Sequence, residues 1–168
     1  MVAMVTKEDI KNIVILNNLT EEMREKLLPH LELQQYEEND VIYRTGDSAP
    51  YFYMLKRGKV LLEQRISPTM TICLGAIKAG FSFGWSGALG DQPYTVDMVC
   101  AESCDIIAIK GQTLRELMDA DHSLGYRFSQ RLLQVIKKRQ DLRTVQLVKV
   151  LTHHPDLLAL IEKSDGEG

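Results

Sequence analysis

The sequence predicts a mainly β domain, a double-stranded β-helix or jelly roll, with helical ends and a long C-terminal helix. Three observations predict it. Between Leu31 and Lys110, short runs rich in Val, Ile, Leu and Tyr are broken by Gly, Pro, Asp and Ser at intervals of about 8–12 residues, the rhythm of an all-β roll. On either side of that stretch the apolar residues recur at helical spacing instead. The length of 168 residues, with 45% apolar and 26% charged residues, suits one compact unit with its own core.

The chain is accordingly read as one domain in four stretches: N-terminal helices over 1–30, the β-roll core over 31–110, a short helix and a long helix over 111–152, and a tail over 153–168. Thr6, followed three residues later by Asp9, is a capping-type start, after which Ile10, Ile13 and Val14 recur at helical spacing. Thr20 caps a second helix whose acids Glu21 and Glu22 suit the positive end of its dipole. Strands are expected near 31–36, 40–44, 51–56, 59–66, 70–77, 94–100 and 104–110. Turn chemistry separates them at Thr45-Gly46-Asp47-Ser48, Arg57-Gly58, Ser67-Pro68 and Ala79-Gly80.

A short helix is expected from Thr113 to Met118, then a long one from an Asp121 cap to about Val150. Phe128, Leu132, Val135, Ile136, Leu142 and Val145 form a stripe along it, close to a coiled-coil seam. The stripe can be covered by the roll or by its copy in a second subunit. A helix of roughly 30 residues is about 45 Å long and outruns a small roll, which favours a homodimer. The tail holds a short amphipathic segment, Pro155 to Glu162, and a polar end, Lys163 to Gly168.

The formal charge is −3, with acids and bases interspersed, so no electrostatic footprint for nucleic acid or an anionic membrane stands out. The basic residues Arg127, Arg131, Lys137, Lys138, Arg139 and Arg143 read as the solvated face of the long helix. The start lacks a signal-peptide pattern, no run approaches a membrane span, and three cysteines match no disulfide scaffold. A soluble cytoplasmic protein with reduced thiols is expected. Cys100 and Cys104 with His153 and His154 have the wrong spacing for a zinc site, so buried thiols are expected there, and Cys73 is expected in the core. No histidine lies between His30 and His122, which removes a cupin-type metal centre, and no nucleophile elbow is present. The expectation is a protein with no catalytic residues, no metal and no cofactor.

The run Gly46-Asp47-Ser48-Ala49-Pro50-Tyr51-Phe52-Tyr53-Met54-Leu55-Lys56-Arg57-Gly58-Lys59-Val60 resembles the glycine-anchored signature of cyclic nucleotide-binding domains. Gly80-Phe81-Ser82-Phe83-Gly84 resembles the approach to that family's phosphate-binding cassette, Val99-Cys100-Ala101 its exit strand, and Asp121 onward the dimerising helix of the catabolite activator type. The resemblance covers about 140 residues in order, from Leu19 to near His154, and implies a cyclic nucleotide-binding-like β-roll that signals through its long helix. In the activator type a helix-turn-helix domain follows that helix. Only 18 residues follow Val150 here, so direct nucleic-acid binding is not expected. The polar end, Lys163 to Gly168, favours a stand-alone sensor slightly over a regulatory fragment of a longer transcription factor.

The cassette departs from the family pattern. The glutamate expected after Gly84 is Trp85, and the arginine expected near Tyr94 or Thr95 is missing, no arginine occurring between Arg65 and Arg115. Losing one charge-assisted phosphate contact costs about 1.5–3 kcal/mol, so cyclic AMP in the usual pose should bind weakly or not at all. The resemblance places a ligand pocket at Phe83, Gly84, Trp85, Ser86, Gly87, Ala88, Tyr94 and Thr95, with Phe81 at its mouth and Lys78 as a nearby cation. Trp85 either stacks on a flat ligand or plugs the vacated pocket. The functional expectation is a regulatory domain that senses a cyclic nucleotide or a repurposed ligand, with a ligand-free interaction module as the alternative.

Overall fold

The computed structural model describes residues 4–157 and 159. Part of the expected tail therefore lies outside the described residues, including most of the amphipathic segment's second half and the polar end 163–168. The chain divides into two compact units, residues 1–129 and 130–168.

The first unit opens with α1 (Lys7–Ile10), held by a reciprocal capping box between Thr6 and Asp9, and α2 (Glu21–Leu27), capped by the Thr20 hydroxyl. Short 3₁₀ turns follow each helix, at Val14–Leu16 and Leu28–His30. Ile13 and Val14 thus lie beyond the first helix, the chain there being turned by the Val14 N–H bond to the Gly80 carbonyl. Strands β1 (Leu31–Tyr36), β2 (Val41–Tyr43), β3 (Tyr51–Arg57), β4 (Lys59–Ser67), β5 (Met70–Lys78), β6 (Ser82–Phe83), β7 (Asp97–Cys100) and β8 (Cys104–Lys110) form two four-stranded sheets. One is ordered β1-β8-β3-β6 and the other β2-β7-β4-β5. All pairs are antiparallel. A four-residue helix, α3 (Ser86–Leu89), lies between β6 and β7, and α4 (Gly111–Ala120) leads into α5 (His122–His153).

The inner faces of the two sheets close on one core. Tyr53 and Leu55 of β3, Ile106 and Ala108 of β8, Val60 and Leu62 of β4 and Met98 of β7 meet there. Because side chains alternate across a strand, Phe52 and Met54, and Ile107 and Ile109, point the other way. They are nonetheless buried, because the helices cover that outer face, and Phe128 of α5 meets Phe52 edge-to-face at 5.5 Å. Phe128, expected on the dimer stripe, is therefore committed to the roll. The Asp121 carboxylate accepts from the Leu124 N–H at 3.0 Å, the expected cap.

Three expectations need correction. The strand expected over 94–100 is confined to Asp97–Cys100, because the Tyr94 backbone bonds to the β2–β3 connection instead. Cys73 is exposed, because β5 is the outer strand of its sheet and its hairpin with β4 projects past the core. The helix expected over 113–118 runs from Gly111 to Ala120. Gly111 starts it, and a Cβ there would sit 1.8 Å from the Gly87 carbonyl oxygen.

The second unit is α5 from Gln130 onward and the residues after it. Leu132 is buried and Val135 and Ile136 are half-buried, whereas Leu142 and Val145 are 56% and 51% exposed. Lys137 pairs with Asp141 at 2.7 Å on the solvated face.

Candidate functional site

The segment from Gly80 to Asp97 crosses between the two sheets, and backbone hydrogen bonds hold it from Gly80 to Ala88 and again at Gly90 and Tyr94. Gly80 donates to the Leu55 carbonyl at 2.7 Å and Leu55 donates to the Phe81 carbonyl at 2.9 Å, which delivers Ser82 and Phe83 onto β3. Gly84 has φ +70°, and a Cβ there would approach Tyr53 Cδ2 to 2.8 Å, so glycine is required on both counts. Gly87 packs so closely that a Cβ would lie 2.1 Å from the Tyr51 carbonyl oxygen. From the other side Arg115 of α4 donates to the Gly87 carbonyl at 2.9 Å. The helix α3 is thus clamped between the start of β3 and the start of α4.

Within α3 the Gly87, Ala88 and Gly90 N–H groups are turned back on the Gly84, Trp85 and Ser86 carbonyls at 3.0, 3.0 and 3.2 Å. Trp85 and Ser86 are half-buried and Ala88 is buried. Beyond Gly90 the chain returns through Tyr94, whose N–H donates to Asp47 at 3.0 Å and whose carbonyl accepts from Gly46 at 2.8 Å.

Tyr94 is the residue on which the site turns. Its ring is 3% exposed and stacks on Tyr43 at 3.6 Å between centroids, with an interplanar angle of 12°. Its hydroxyl donates to the Tyr51 carbonyl at 2.7 Å. Tyr53 in turn stacks on Phe83 at 5.2 Å and lies 5.8 Å from Tyr43, so four rings form one continuous cluster inside the roll. Burial pushes the Tyr94 phenol up against the opposing pull of the Tyr51 N–H, which donates to its oxygen at 3.4 Å, and burial with the nearby Tyr94 oxygen pushes Tyr53 up further. Both hydroxyls therefore stay protonated and can only act as neutral hydrogen-bonding groups.

The eight residues singled out in the sequence therefore divide. Phe83, Gly84, Gly87, Ala88 and Tyr94 are buried packing positions, Trp85 and Ser86 are half-buried, and Thr95 is exposed. Phe81, expected at a shared pocket mouth, is 38% exposed and apart from the Phe83–Tyr94 cluster. Lys78 is exposed while Ile77 beside it is buried, so strand alternation turns its ammonium away from the core. Sequence reasoning missed Tyr43, Tyr53 and Arg115. The period-2 pair Tyr51 and Tyr53 was visible, but their convergence with Tyr43 and Tyr94 depends on pairings between distant strands. Among the described residues no group of three or more His, Cys, Asp and Glu converges as a metal site. No described helix is long and apolar enough to cross a membrane.

A roll of this topology, with a glycine-hinged short helix between its sixth and seventh strands and a long helix at its end, is a β-roll of the cyclic nucleotide-binding type. The sequence profile of the cyclic nucleotide-binding domain matches residues 33–121, and the chain belongs to that family. Human cGMP-dependent protein kinase 2 is 24% identical over 95 residues, covering 56% of this chain and 12% of the kinase. The chain thus corresponds to a small part of that relative's length. Among solved structures, a cyclic nucleotide-binding domain from Methylobacillus flagellatus superposes with a TM-score of 0.72 at 18% identity, covering 80% of this chain and 79% of that one. A putative cyclic nucleotide-binding protein from Geobacter metallireducens gives 0.70 at 21% identity, covering 82% and 99%.

Proposed function

We propose that this chain is a non-catalytic, cytoplasmic regulatory domain that acts as a homodimer through α5, and that its cassette does not take a cyclic nucleotide in the family's usual pose. The observation that carries the second part is Tyr94. At one of the two positions where the resemblance expects the phosphate-neutralising arginine, this chain turns a phenol inward onto Tyr43. A cyclic phosphate entering there meets a neutral ring and loses its counter-charge, and Thr95 offers only an exposed hydroxyl. The homodimer reading is supported by Leu142, Val145 and Val148, apolar residues spaced by three on α5 that are each more than half exposed. Apolar residues in a row favour a partner surface.

Calorimetric titration of the whole chain with cyclic AMP and cyclic GMP, read in parallel by fluorescence of its single tryptophan, tests the proposal. No saturable heat and no Trp85 response are expected up to millimolar nucleotide. Saturable micromolar binding overturns the reading of the cassette. Sedimentation equilibrium on the same sample should return a dimer, and a monomer at every concentration overturns the role given to α5.

A further inference from the structure

A cavity of about 570 Å³ opens beside the hairpin of β4 and β5 and is lined by none of residues 83–95. It is lined by Arg44, Thr45, Gln64, Arg65 and Asp97, with residues 66–68 as its remaining wall. In that sheet β7 lies between β2 and β4; Arg44 follows the end of β2, and Arg65 lies two residues beyond Glu63, the β4 partner of Asp97, so both flank the Asp97 end of β7.

The acid between them is already occupied. Asp97 is buried and accepts from the Thr45 N–H at 2.7 Å and the Thr45 hydroxyl at 2.9 Å. Burial opposes its ionisation, but the two Thr45 bonds and the charges of Arg44 and Arg65 outweigh this and hold the carboxyl below its ordinary value. Arg44 adds only a long contact at 3.4 Å from a half-exposed guanidinium. Arg65 is exposed, and its guanidinium makes no hydrogen bond or ion pair among the described residues. Both Thr45 bonds fall on Oδ1 and the Arg44 contact on Oδ2, so two guanidiniums face one carboxylate, leaving a local positive charge and, at Arg65, an unused planar donor fork. Such forks match the oxygens of a phosphoryl dianion. A phosphoryl group alone fills a small part of the volume, and the Ile66 side chain, 58% exposed, with Pro68 beside it, offers an apolar wall for an organic remainder.

We propose that this cavity binds a small organic phosphate, its phosphoryl group held between Arg44 and Arg65. The inference is independent of the reading of the cassette, since the two sites share no residue. It is tested on the whole chain by following the arginine Nε–Hε resonances during titration with phenyl phosphate, and separately with inorganic phosphate. Saturable shifts confined to Arg44 and Arg65 are expected, with phenyl phosphate the tighter ligand. Arg65→Gln, an exposed change that keeps the roll's amide spectrum, should weaken phenyl phosphate by about ten-fold or more, the loss of one charge-assisted contact. Lys137→Gln, on a remote cation, should not. Uniform, unsaturating shifts over all arginines would reduce the effect to ionic screening and overturn the site, as would an Arg65→Gln affinity equal to wild type. Equal affinity for the two ligands would overturn the organic part of the assignment.

Discussion

The two sheets of the roll have the same number of strands, yet six consecutive residues of β8 are buried whereas β5 buries one residue in nine. Both strands are rich in apolar residues, so composition does not separate them. Coverage does. The β1-β8-β3-β6 sheet has the roll's core on one side and the helices on the other, so both alternating sets of side chains are enclosed. The β2-β7-β4-β5 sheet has only the core, and β5 at its edge projects beyond even that, leaving Met70, Ile72 and Leu74 exposed. The covered sheet therefore buries side chains on both faces, and the open sheet on one.

The covered side is most sensitive to substitution at the clamp on α3. Gly87→Val puts a side chain where a Cβ alone would lie 2.1 Å from the Tyr51 carbonyl, and neither backbone can yield. A loss of about 4 kcal/mol or more is expected in urea unfolding, enough to leave much of the chain unfolded. Next in size is a matched pair. Ile107→Ala, at a fully buried position of β8, should cost about 3 kcal/mol, while Ile72→Ala on β5 should cost less than about 0.5. Similar losses at both positions would show that the hairpin is covered in solution.

The smallest effect concerns how the helices are held on. Lys56 of β3 meets the Asp9 carboxylate of α1 at 2.7 Å, and that hydrogen bond with those from Thr6 holds the Asp9 pKa at about 2. The folded value lies below the unfolded one of about 3.9, so this contribution is complete above about pH 5 and is lost as the pH falls towards 2. Partial exposure limits it to about 1–2 kcal/mol. Asp9→Asn should remove that part of the acid dependence, and an unchanged slope of urea midpoint against pH between about 5 and 2.5 would contradict it.

Most of the β-roll was legible because strand and turn signals are local. The strands at 31–36 and 104–110 coincide with β1 and β8, and the hairpin at Gly58 and the Thr20 and Asp121 caps stand where their chemistry put them. The two-residue β6 and the four-residue α3 were not legible, because neither is long enough to carry a period. The earlier start of α4 depends on the close approach of Gly111 to Gly87, which no local pattern carries. Cys73 shows the limit of alternation, which marks a strand without saying whether anything covers it. Of the candidate site, the departures at Trp85 and Tyr94 were visible as missing charges. That Tyr94 would turn inward depended on Tyr43, about fifty residues earlier, and no local pattern carries that pairing.

The distribution of sulfur gives the molecule an internal clock. Cys73 stands in solvent on β5, whereas Cys100 and Cys104 lie at 0% and 1% exposure beneath Gly58, whose missing side chain leaves the Cys104 Sγ its room. Burial, with Cys104 alongside, pushes the Cys100 thiol up to about 12, far from the thiolate form that reacts. A thiol-alkylating reagent therefore counts one cysteine at once and the other two only after the roll has parted, so the mass of the modified chain against time reads how often the roll breathes.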